Sequence, residues 1–151
     1  MAQRKTALVT GAATGIGRSA TLALARAGHD VALNYSSSAA AARSTAAEAE
    51  KLGAATLLLQ CDVSDEAGVR RMLKQVEERF GRLDVLVNNA GMTASWKPKD
   101  LETLLLEDWD RVFAVNVRGL FQVTRAAVPM LRKARGCVVN TASIVGLRPG
   151  P

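Results

Sequence analysis

Short apolar runs alternate along the chain with longer segments in which apolar residues recur every three to four positions. The short runs predict β-strands, and the helical period predicts amphipathic helices between them. Five strands are predicted, at residues 5–10, 31–35, 56–61, 83–88 and 137–141. Four helices are predicted, at residues 14–27, 39–52, 65–80 and 105–133, the third of them with Ser64 as its N-cap.

The predicted strands are apolar along their length and do not alternate strictly with polar residues. Strands of this kind are buried on both faces, which is typical of a parallel sheet covered by helices on each side. Right-handed crossovers then predict an α/β fold with a Rossmann-type, doubly wound parallel sheet. The chain has neither an internal repeat nor a linker, so residues 1–151 are expected to form a single domain.

Residues 10–17 read T-G-A-A-T-G-I-G and join the first strand to the first helix. A helix N-terminus carries unpaired N–H groups and partial positive charge, so an anionic diphosphate can bind there if no side chain blocks it. On this interpretation Gly11 makes the tight turn, Gly15 lets the backbone approach the phosphates, and Gly17 lets the helix pack closely on the sheet. The alternative is an ordinary glycine turn, because such a motif alone is a weak signal.

Polar residues and glycines also follow three other predicted strands. Asp62 and Val63 follow the third strand, residues 88–91 (N-N-A-G) follow the fourth, and Ser143 follows the fifth. Ligands of open parallel sheets bind beyond the carboxyl ends of the strands. Any one of these positions could be a loop residue without a role, but four strand ends meeting at one rim predict a binding site.

The formal net charge is +6, from 20 Lys and Arg against 14 Asp and Glu. The basic residues are spread along the predicted helices without interleaved aromatic residues, so a solvated surface is favoured over nucleic-acid binding. No apolar run approaches the length of a membrane span, and the N-terminus does not read as a signal peptide.

The two cysteines, Cys61 and Cys137, fall in predicted strands and are expected to be small buried hydrophobic residues. Their spacing fits neither a metal site nor a disulfide framework. No bound metal is therefore expected, and a reducing cytoplasm is the expected location.

Together these motifs resemble those of the short-chain dehydrogenase/reductase family, from about Lys5 along the whole chain. The matching features are residues 10–17, Asp62, residues 88–91, Asn116 within V-N-V, and Ser143. Within the family the chain is most similar to 3-oxoacyl-[acyl-carrier-protein] reductases and to glucose-dehydrogenase-like members. The resemblance implies a dinucleotide-binding domain of an oxidoreductase that transfers hydride between nicotinamide and a small carbonyl or alcohol substrate.

The resemblance also implies roles for the matching residues. Asp62 would meet the adenine amino group with Val63 beside it, or would only cap a turn or helix. Residues 88–91 would form a wall along the cofactor, with Asn89 in contact with it and Asn88 structural. Ser143 would polarise the substrate carbonyl, or would only satisfy backbone groups at the strand end. The candidate cofactor-binding residues are Gly11, Thr14, Gly15, Ile16, Gly17, Tyr35, Ser36, Asp62, Val63, Asn89, Ala90 and Gly91.

The end of the second predicted strand, residues 34–38 (N-Y-S-S-S), bears on the choice of dinucleotide. An acidic residue there would bind the ribose hydroxyls of NAD and would repel a 2′-phosphate. The segment has no carboxylate, and its serines and amides can accept a 2′-phosphate, so NADP(H) is favoured over NAD(H). No arginine stands at Thr14 or just after Tyr35, where many NADP-using relatives have one, and Arg43 is a distant substitute.

The fourth predicted helix carries Asn116 on an apolar stripe. A buried amide costs about 1–3 kcal/mol unless it is hydrogen-bonded. Asn116 therefore ties the helix to the sheet or, as the resemblance implies, holds the proton relay at a distortion of the helix; both can be true. The other residues of this stripe are Trp109, Val112, Phe113, Leu120, Val123, Ala127 and Met130.

The same helix has a second apolar stripe, which needs another helix to cover it. The resemblance implies that relatives use this helix to form a dimer, so a homo-oligomer is expected. The residues of the second stripe are Val117, Phe121, Thr124 and Val128.

The proton donor that the resemblance implies is the tyrosine of a Tyr-x-x-x-Lys segment beyond the serine, but the only tyrosine here is Tyr35. The fold is expected to continue past Pro151, and residues 1–151 alone are expected to reduce no ketone. The alternative is a non-catalytic dinucleotide-binding module.

Trp96, in a predicted loop at residues 91–101, lines the edge of the substrate pocket or packs within the loop.

Overall fold

The computed structural model describes residues 4–93 and 101–148, and Trp96 with most of its loop lies outside them. The strands are β1 (Thr6–Val9), β2 (Asp30–Tyr35), β3 (Thr56–Gln60), β4 (Val85–Asn88) and β5 (Cys137–Asn140). The α-helices are α1 (Gly15–Arg26), α2 (Ala39–Lys51), α3 (Glu66–Phe80), α4 (Leu106–Phe113) and α5 (Leu120–Ala134). A π-helical segment (Ala114–Gly119) joins α4 to α5, and short 3₁₀ turns occupy Leu101–Thr103 and Ile144–Gly146.

The five strands form one parallel sheet in the order β3-β2-β1-β4-β5. From β1 the chain builds outward to β2 and β3 on one side, and later to β4 and β5 on the other. The order therefore reverses between β1 and β4, where a crevice opens at the carboxyl ends of the strands. This arrangement confirms the predicted α/β doubly wound sheet, and the strand ends differ from the prediction by two residues at most.

Neighbouring residues of one strand enter two separate cores, because successive side chains of a strand point to opposite faces. Leu8 packs in a core with residues of α3 and α5, whereas Val9 packs in a core with residues of α1 and α2. Both side chains are completely buried. Burial on both faces is the reason that the strands read as continuous apolar runs.

The third helix begins one residue later than predicted. Asp65, and not Ser64, is its N-cap, with a carboxylate that accepts a hydrogen bond from Ala67 N at 3.0 Å. Ser64 lies in the turn before the helix, where its hydroxyl donates to Asp62 Oδ1 at 2.7 Å and accepts from Arg111 Nη1 at 2.8 Å. The helix ends at Gly81, as predicted, in the left-handed conformation with φ of 68°.

The helix predicted over residues 105–133 is present from Leu106 to Ala134, but the π-helical segment divides it into α4 and α5. The predicted buried stripe holds only in α5, where Val123, Ala127 and Met130 are buried. In α4 no side chain is buried, and the rings of Trp109 and Phe113 stack on each other at 4.9 Å while about half exposed. The π-helical segment shifts the angular spacing between the two helices, so one stripe of period 3.6 does not run through both.

The expectation that both cysteines are buried is also wrong. Cys137 is exposed, because it lies on β5, an outer strand of the sheet that the described residues form. Cys61 lies just past the end of β3 and is partly buried. Burial, together with the carboxylates of Asp65 and Asp62, raises the pKa of the Cys61 thiol to about 11.

In the described part of the chain, no helix combines the length and apolarity that crossing a membrane requires. Within residues 4–93 and 101–148, no cluster of three or more histidine, cysteine or acidic side chains is arranged to hold a metal ion.

Candidate functional site

The turn after β1 lies at the crevice between β1 and β4 and contains two glycines with positive φ. Gly11 has φ of 61° and Gly15 has φ of 55°, a region that residues with a Cβ rarely adopt. A Cβ added at Gly15 would have no protein atom within 4 Å. Gly15 therefore borders open space at the start of α1, which another molecule can occupy.

The amino end of α1 has no side-chain cap. Thr14 is the N-cap in extended conformation, and its side chain makes no capping hydrogen bond. The first turn of the helix contains no acidic residue. The N–H groups and the partial positive charge of the helix end are thus available to an anion beside Gly15.

Gly17 is required by a close approach within the turn itself. A Cβ added at Gly17 would lie 2.1 Å from the Gly11 carbonyl oxygen and 2.5 Å from Asn89 Nδ2. The prediction placed this contact between the helix and the sheet. The structure places it between the first turn of α1 and the glycine turn that precedes it.

Thr10 and Asn89 fasten the glycine turn to the end of β4. The Thr10 hydroxyl accepts hydrogen bonds from the backbone N–H groups of Asn89 and Ala90, at 2.9 and 3.0 Å. The Asn89 side-chain amide donates to the carbonyls of Thr10 and Gly11, at 3.1 and 3.2 Å. Residues 88–91 thus brace the turn; contact of Asn89 with a cofactor stays a prediction.

Asn88 joins three elements behind the turn. Its amide nitrogen donates to Thr124 Oγ1 on α5 and to Asn140 Oδ1 on β5, both at 2.9 Å. The side chain is buried. These contacts are those of a structural residue, which is the role that the resemblance gives it.

Asn34 and Thr10 belong to segments that the sequence analysis quotes, but their contacts with the glycine turn and with β4 were not predicted. Asn34 is 1% exposed, accepts from Gly11 N at 3.4 Å, and donates to the carbonyls of Leu59 and Cys61. It therefore links the glycine turn to the ends of β2 and β3. A polar amide inside an apolar strand must be hydrogen-bonded, and that was the available signal.

Asp62 is held on both of its carboxylate oxygens. Oδ1 accepts from Ser64 N and Ser64 Oγ at 2.9 and 2.7 Å, and Oδ2 accepts from Arg111 Nη2 at 2.5 Å. Burial alone would raise the pKa of Asp62, but the hydrogen bonds from Arg111 and Ser64 outweigh it and hold the pKa below its ordinary value. Asp62 therefore closes a turn, as the alternative interpretation has it, while the adenine contact stays a prediction.

A cavity of about 230 Å³ lies along the carboxyl ends of the strands. It brings together predicted residues from four segments of the chain: the turn after β1 and the ends of β2, β3 and β4. The predicted site residues that do not line it are Thr14, Gly15, Ile16, Gly17, Tyr35, Asn89, Asn116 and Ser143. The cavity is lined by Gly11, Asn34, Ser36, Cys61, Asp62, Val63, Ala90, Gly91, Met92, Arg111 and Val115.

Asn116 lies within the π-helical segment and is exposed, so the expectation of a buried amide is wrong. Its side chain is nevertheless hydrogen-bonded at both ends. Oδ1 accepts from Met92 N at 2.9 Å, and Nδ2 donates to Met92 O at 2.8 Å. Asn116 thus holds the chain that leaves β4, and it does so from the helix distortion that the resemblance implies.

Ser143 and Tyr35 lie at separate places along the rim. Ser143 is exposed just past β5, and its carbonyl accepts from Gly146 N at 3.0 Å. Tyr35 is the last residue of β2. Because β1 and β4 stand between β2 and β5 in the sheet, these two residues do not share one site.

Comparisons with known proteins agree with this architecture. The sequence model of the family described as short chain dehydrogenase matches residues 5–151. The 3-oxoacyl-[acyl-carrier-protein] reductase FabG of Staphylococcus aureus (strain Mu50) is 41% identical over 152 residues, an alignment that covers all of this chain and 61% of that protein. The chain therefore spans about three fifths of the length of this curated relative.

Two solved structures superpose closely on the chain. A short-chain dehydrogenase from Burkholderia cenocepacia J2315 in complex with NADP has a TM-score of 0.90 and 38% identity, covering 97% of this chain and 58% of that one. A 3-oxoacyl-[acyl-carrier protein] reductase from Brucella melitensis in complex with NAD has a TM-score of 0.89 and 31% identity, covering 100% and 60%. By its sheet, its motifs and these matches, the chain belongs to the short-chain dehydrogenase family of oxidoreductases.

Proposed function

We propose that the chain binds NADP(H) and serves hydride transfer between nicotinamide and a carbonyl or alcohol substrate, as in a 3-oxoacyl-[acyl-carrier-protein] reductase. The observation that carries the proposal is the glycine turn at the strand-order reversal. There the amino end of α1 is uncapped by the described side chains, and Gly15 leaves space that a Cβ would fill. The relatives named as such reductases support the substrate class.

The residues present fit such a dinucleotide. The diphosphate would meet the backbone of Gly15, Ile16 and Gly17 at the helix end. The adenine would lie in the cavity beside Asp62 and Val63. When bound, the nicotinamide supplies or accepts the hydride, which is chemistry that no side chain provides.

Asn116 and Ser143 are the proposed catalytic residues of this chain. Asn116 holds the backbone at Met92 next to the cofactor wall and would support the proton relay through the π-helical segment. Ser143, beyond β5, would donate a hydrogen bond to the substrate carbonyl and so favour negative charge developing on its oxygen.

The choice of NADP(H) over NAD(H) rests on the end of β2. Neither Tyr35 nor the exposed Ser36 carries a charge that would repel a 2′-phosphate. Of the two solved relatives, one is in complex with NADP and the other with NAD. The preference for NADP(H) therefore rests on the residues of this chain.

We expect NADPH to bind about tenfold more tightly than NADH, which corresponds to about 1.4 kcal/mol. Titration of the chain with each dinucleotide, followed by nicotinamide fluorescence, measures the two dissociation constants. The matched control is Ser36→Asp, which adds a carboxylate at the end of β2 and should weaken NADPH while sparing NADH. Tighter binding of NADH by the unsubstituted chain would contradict the choice of NADP(H).

The alternative, a dinucleotide-binding module without catalysis, is favoured by the position of Tyr35. The sole tyrosine of the sequence lies at the end of β2, and two strands, β1 and β4, separate β2 from β5. It is therefore not placed to give a proton to a carbonyl held by Ser143.

The 151-residue chain is accordingly expected to show no ketone-dependent oxidation of NADPH. The measurement is the loss of absorbance at the reduced nicotinamide band with a 3-oxoacyl thioester as substrate, beside the binding titration on the same preparation. Binding without turnover is the expected result. Turnover above the rate without protein would show that another group of this chain donates the proton.

We also propose that a second copy of the chain covers the exposed apolar face of α4, the π-helical segment and α5. Trp109 and Phe113 are 52% and 47% exposed, and Val117 and Phe121 are each 57% exposed. Exposed apolar patches of this kind are typical of protein–protein interfaces. The proposed assembly is a homo-oligomer, as the resemblance implies.

A further inference from the structure

The cavity at the strand ends contains one opposite-charge pair. Of the described residues that line it, Asp62 and Arg111 are the only ones with charged side chains. They come from segments 49 positions apart: Asp62 follows β3, and Arg111 belongs to α4. The charge on the cavity wall therefore depends on both residues being present.

Arg111 is fixed by a closed ring of hydrogen bonds. Its Nη2 donates to Asp62 Oδ2, and its Nη1 donates to Ser64 Oγ at 2.8 Å. The Ser64 hydroxyl in turn donates to Asp62 Oδ1. The guanidinium thus lies directly on the carboxylate and compensates its charge.

Packing of α4 does not explain this position. None of the eight residues of α4 is buried, so Arg111 is not held in place by packing of this helix in a hydrophobic core. The side chain of Arg111 is 48% exposed and that of Asp62 is 37% exposed. The contact between them is a partly exposed ion pair on the cavity wall, and either charge would act on an anion bound in the cavity.

Removal of Arg111 would leave an unpaired carboxylate on the cavity wall. The Asp62 carboxylate would repel any anionic ligand. A 2′-phosphate adds about −1.5 to −2 charges to a dinucleotide, so NADPH would be repelled more strongly than NADH. The difference would fall with salt, because the Debye length shortens from about 30 Å at 0.01 M to about 8 Å at 0.15 M.

We propose that Arg111 is a specificity-determining residue that compensates the charge of Asp62 and thereby permits a 2′-phosphorylated dinucleotide. The inference rests on the proposed function, since it concerns the site of the dinucleotide. Arg111 of α4 would then supply the positive charge near the dinucleotide that an arginine at Thr14 or just after Tyr35 supplies in many NADP-using relatives. The relevant quantity is the ratio of NADPH to NADH affinity, in which the adenine and nicotinamide contributions cancel.

The test is Arg111→Met, which keeps most of the side-chain volume and removes the charge. Titration with NADPH and NADH at low ionic strength should show the affinity ratio falling about fivefold, and less at high salt. The matched control is Arg125→Met. Arg125 has the same 48% exposure and forms an ion pair with Glu66 at 2.8 Å, but it does not line this cavity. Its substitution should leave the ratio unchanged.

A rescue experiment separates charge compensation from a structural role of Arg111. In the double variant Asp62→Asn/Arg111→Met both charges are gone, so the ratio should return to the unsubstituted value although the tie to α4 is still absent. Asp62→Asn alone leaves the guanidinium unopposed and should raise the ratio, a result that does not require Arg111→Met to fold.

An unchanged ratio in Arg111→Met, an equal fall in Arg125→Met, or a double variant without rescue would overturn the inference. So would a ratio that fails to rise in Asp62→Asn. If the unsubstituted chain binds neither dinucleotide, the proposed function itself is contradicted, and this outcome is distinct from the others.

Discussion

Gly15→Val is expected to weaken NADPH binding about 100-fold while the chain stays folded. The substituted side chain would extend into the open space beside the amino end of α1, where the structure has no protein atom within 4 Å of the Cβ position. A diphosphate placed there would lose hydrogen bonds from backbone N–H groups, each of which contributes about 1.5–3 kcal/mol when the acceptor is charged. The fluorescence titration of the two proteins with NADPH measures the change.

The control for Gly15→Val is Gly28→Val, at the other end of α1. Gly28 also has positive φ, 84°, and a Cβ there also meets no atom within 4 Å. Both variants should lose about 1–3 kcal/mol of unfolding free energy from backbone strain, but only Gly15→Val should lose affinity. If Gly15→Val and Gly28→Val bound NADPH with equal affinity, the dinucleotide would not bind at this turn, and the proposal would be contradicted.

Gly17→Ala is expected to destabilise the fold by more than about 3 kcal/mol. The added methyl would stand 2.1 Å from a backbone oxygen, that of Gly11, so α1 or the turn must move. Helix propensity acts in the opposite direction, since alanine is favoured over glycine inside a helix by about 1 kcal/mol. Urea denaturation followed by circular dichroism gives the free energy of unfolding.

Ser19→Ala, on the exposed side of the same helix, is the control for Gly17→Ala. Its hydroxyl donates only to Gly15 O, the carbonyl one turn earlier, at 3.2 Å. Its unfolding free energy should change by no more than about 0.5 kcal/mol. A Gly17→Ala chain as stable as Ser19→Ala would show that the first turn of α1 does not touch Gly11.

The parts of the fold that follow from local pattern could be predicted from the sequence. The apolar runs place all five strands, because strands buried on both faces need apolar residues throughout. The glycine turn could also be predicted locally, because glycine is the residue that tolerates positive φ, and both Gly11 and Gly15 have a positive φ.

Other parts depend on contacts between distant segments. The pairing of Arg111 with Asp62 joins residues 49 positions apart. The sequence around either residue does not indicate that the two side chains meet. The N-cap is Asp65 and not Ser64, and the Ser64 hydroxyl is hydrogen-bonded instead to Asp62 and to the distant Arg111. Hydrophobicity alone suggested that Trp109 and Phe113 were buried, although these side chains are about half exposed.

The pairing of β1 with β4 has a consequence for how the protein acquires its shape. The Thr10 hydroxyl donates to the Val87 carbonyl at 3.4 Å, across 77 positions of the chain, and the crevice lies between these two strands. Parallel neighbours cannot be joined by a hairpin, and closing so long a loop costs entropy before any contact compensates for it. In a growing chain the residues before Val85 therefore emerge without β4. The proposed dinucleotide site is complete only after β4 has paired with β1.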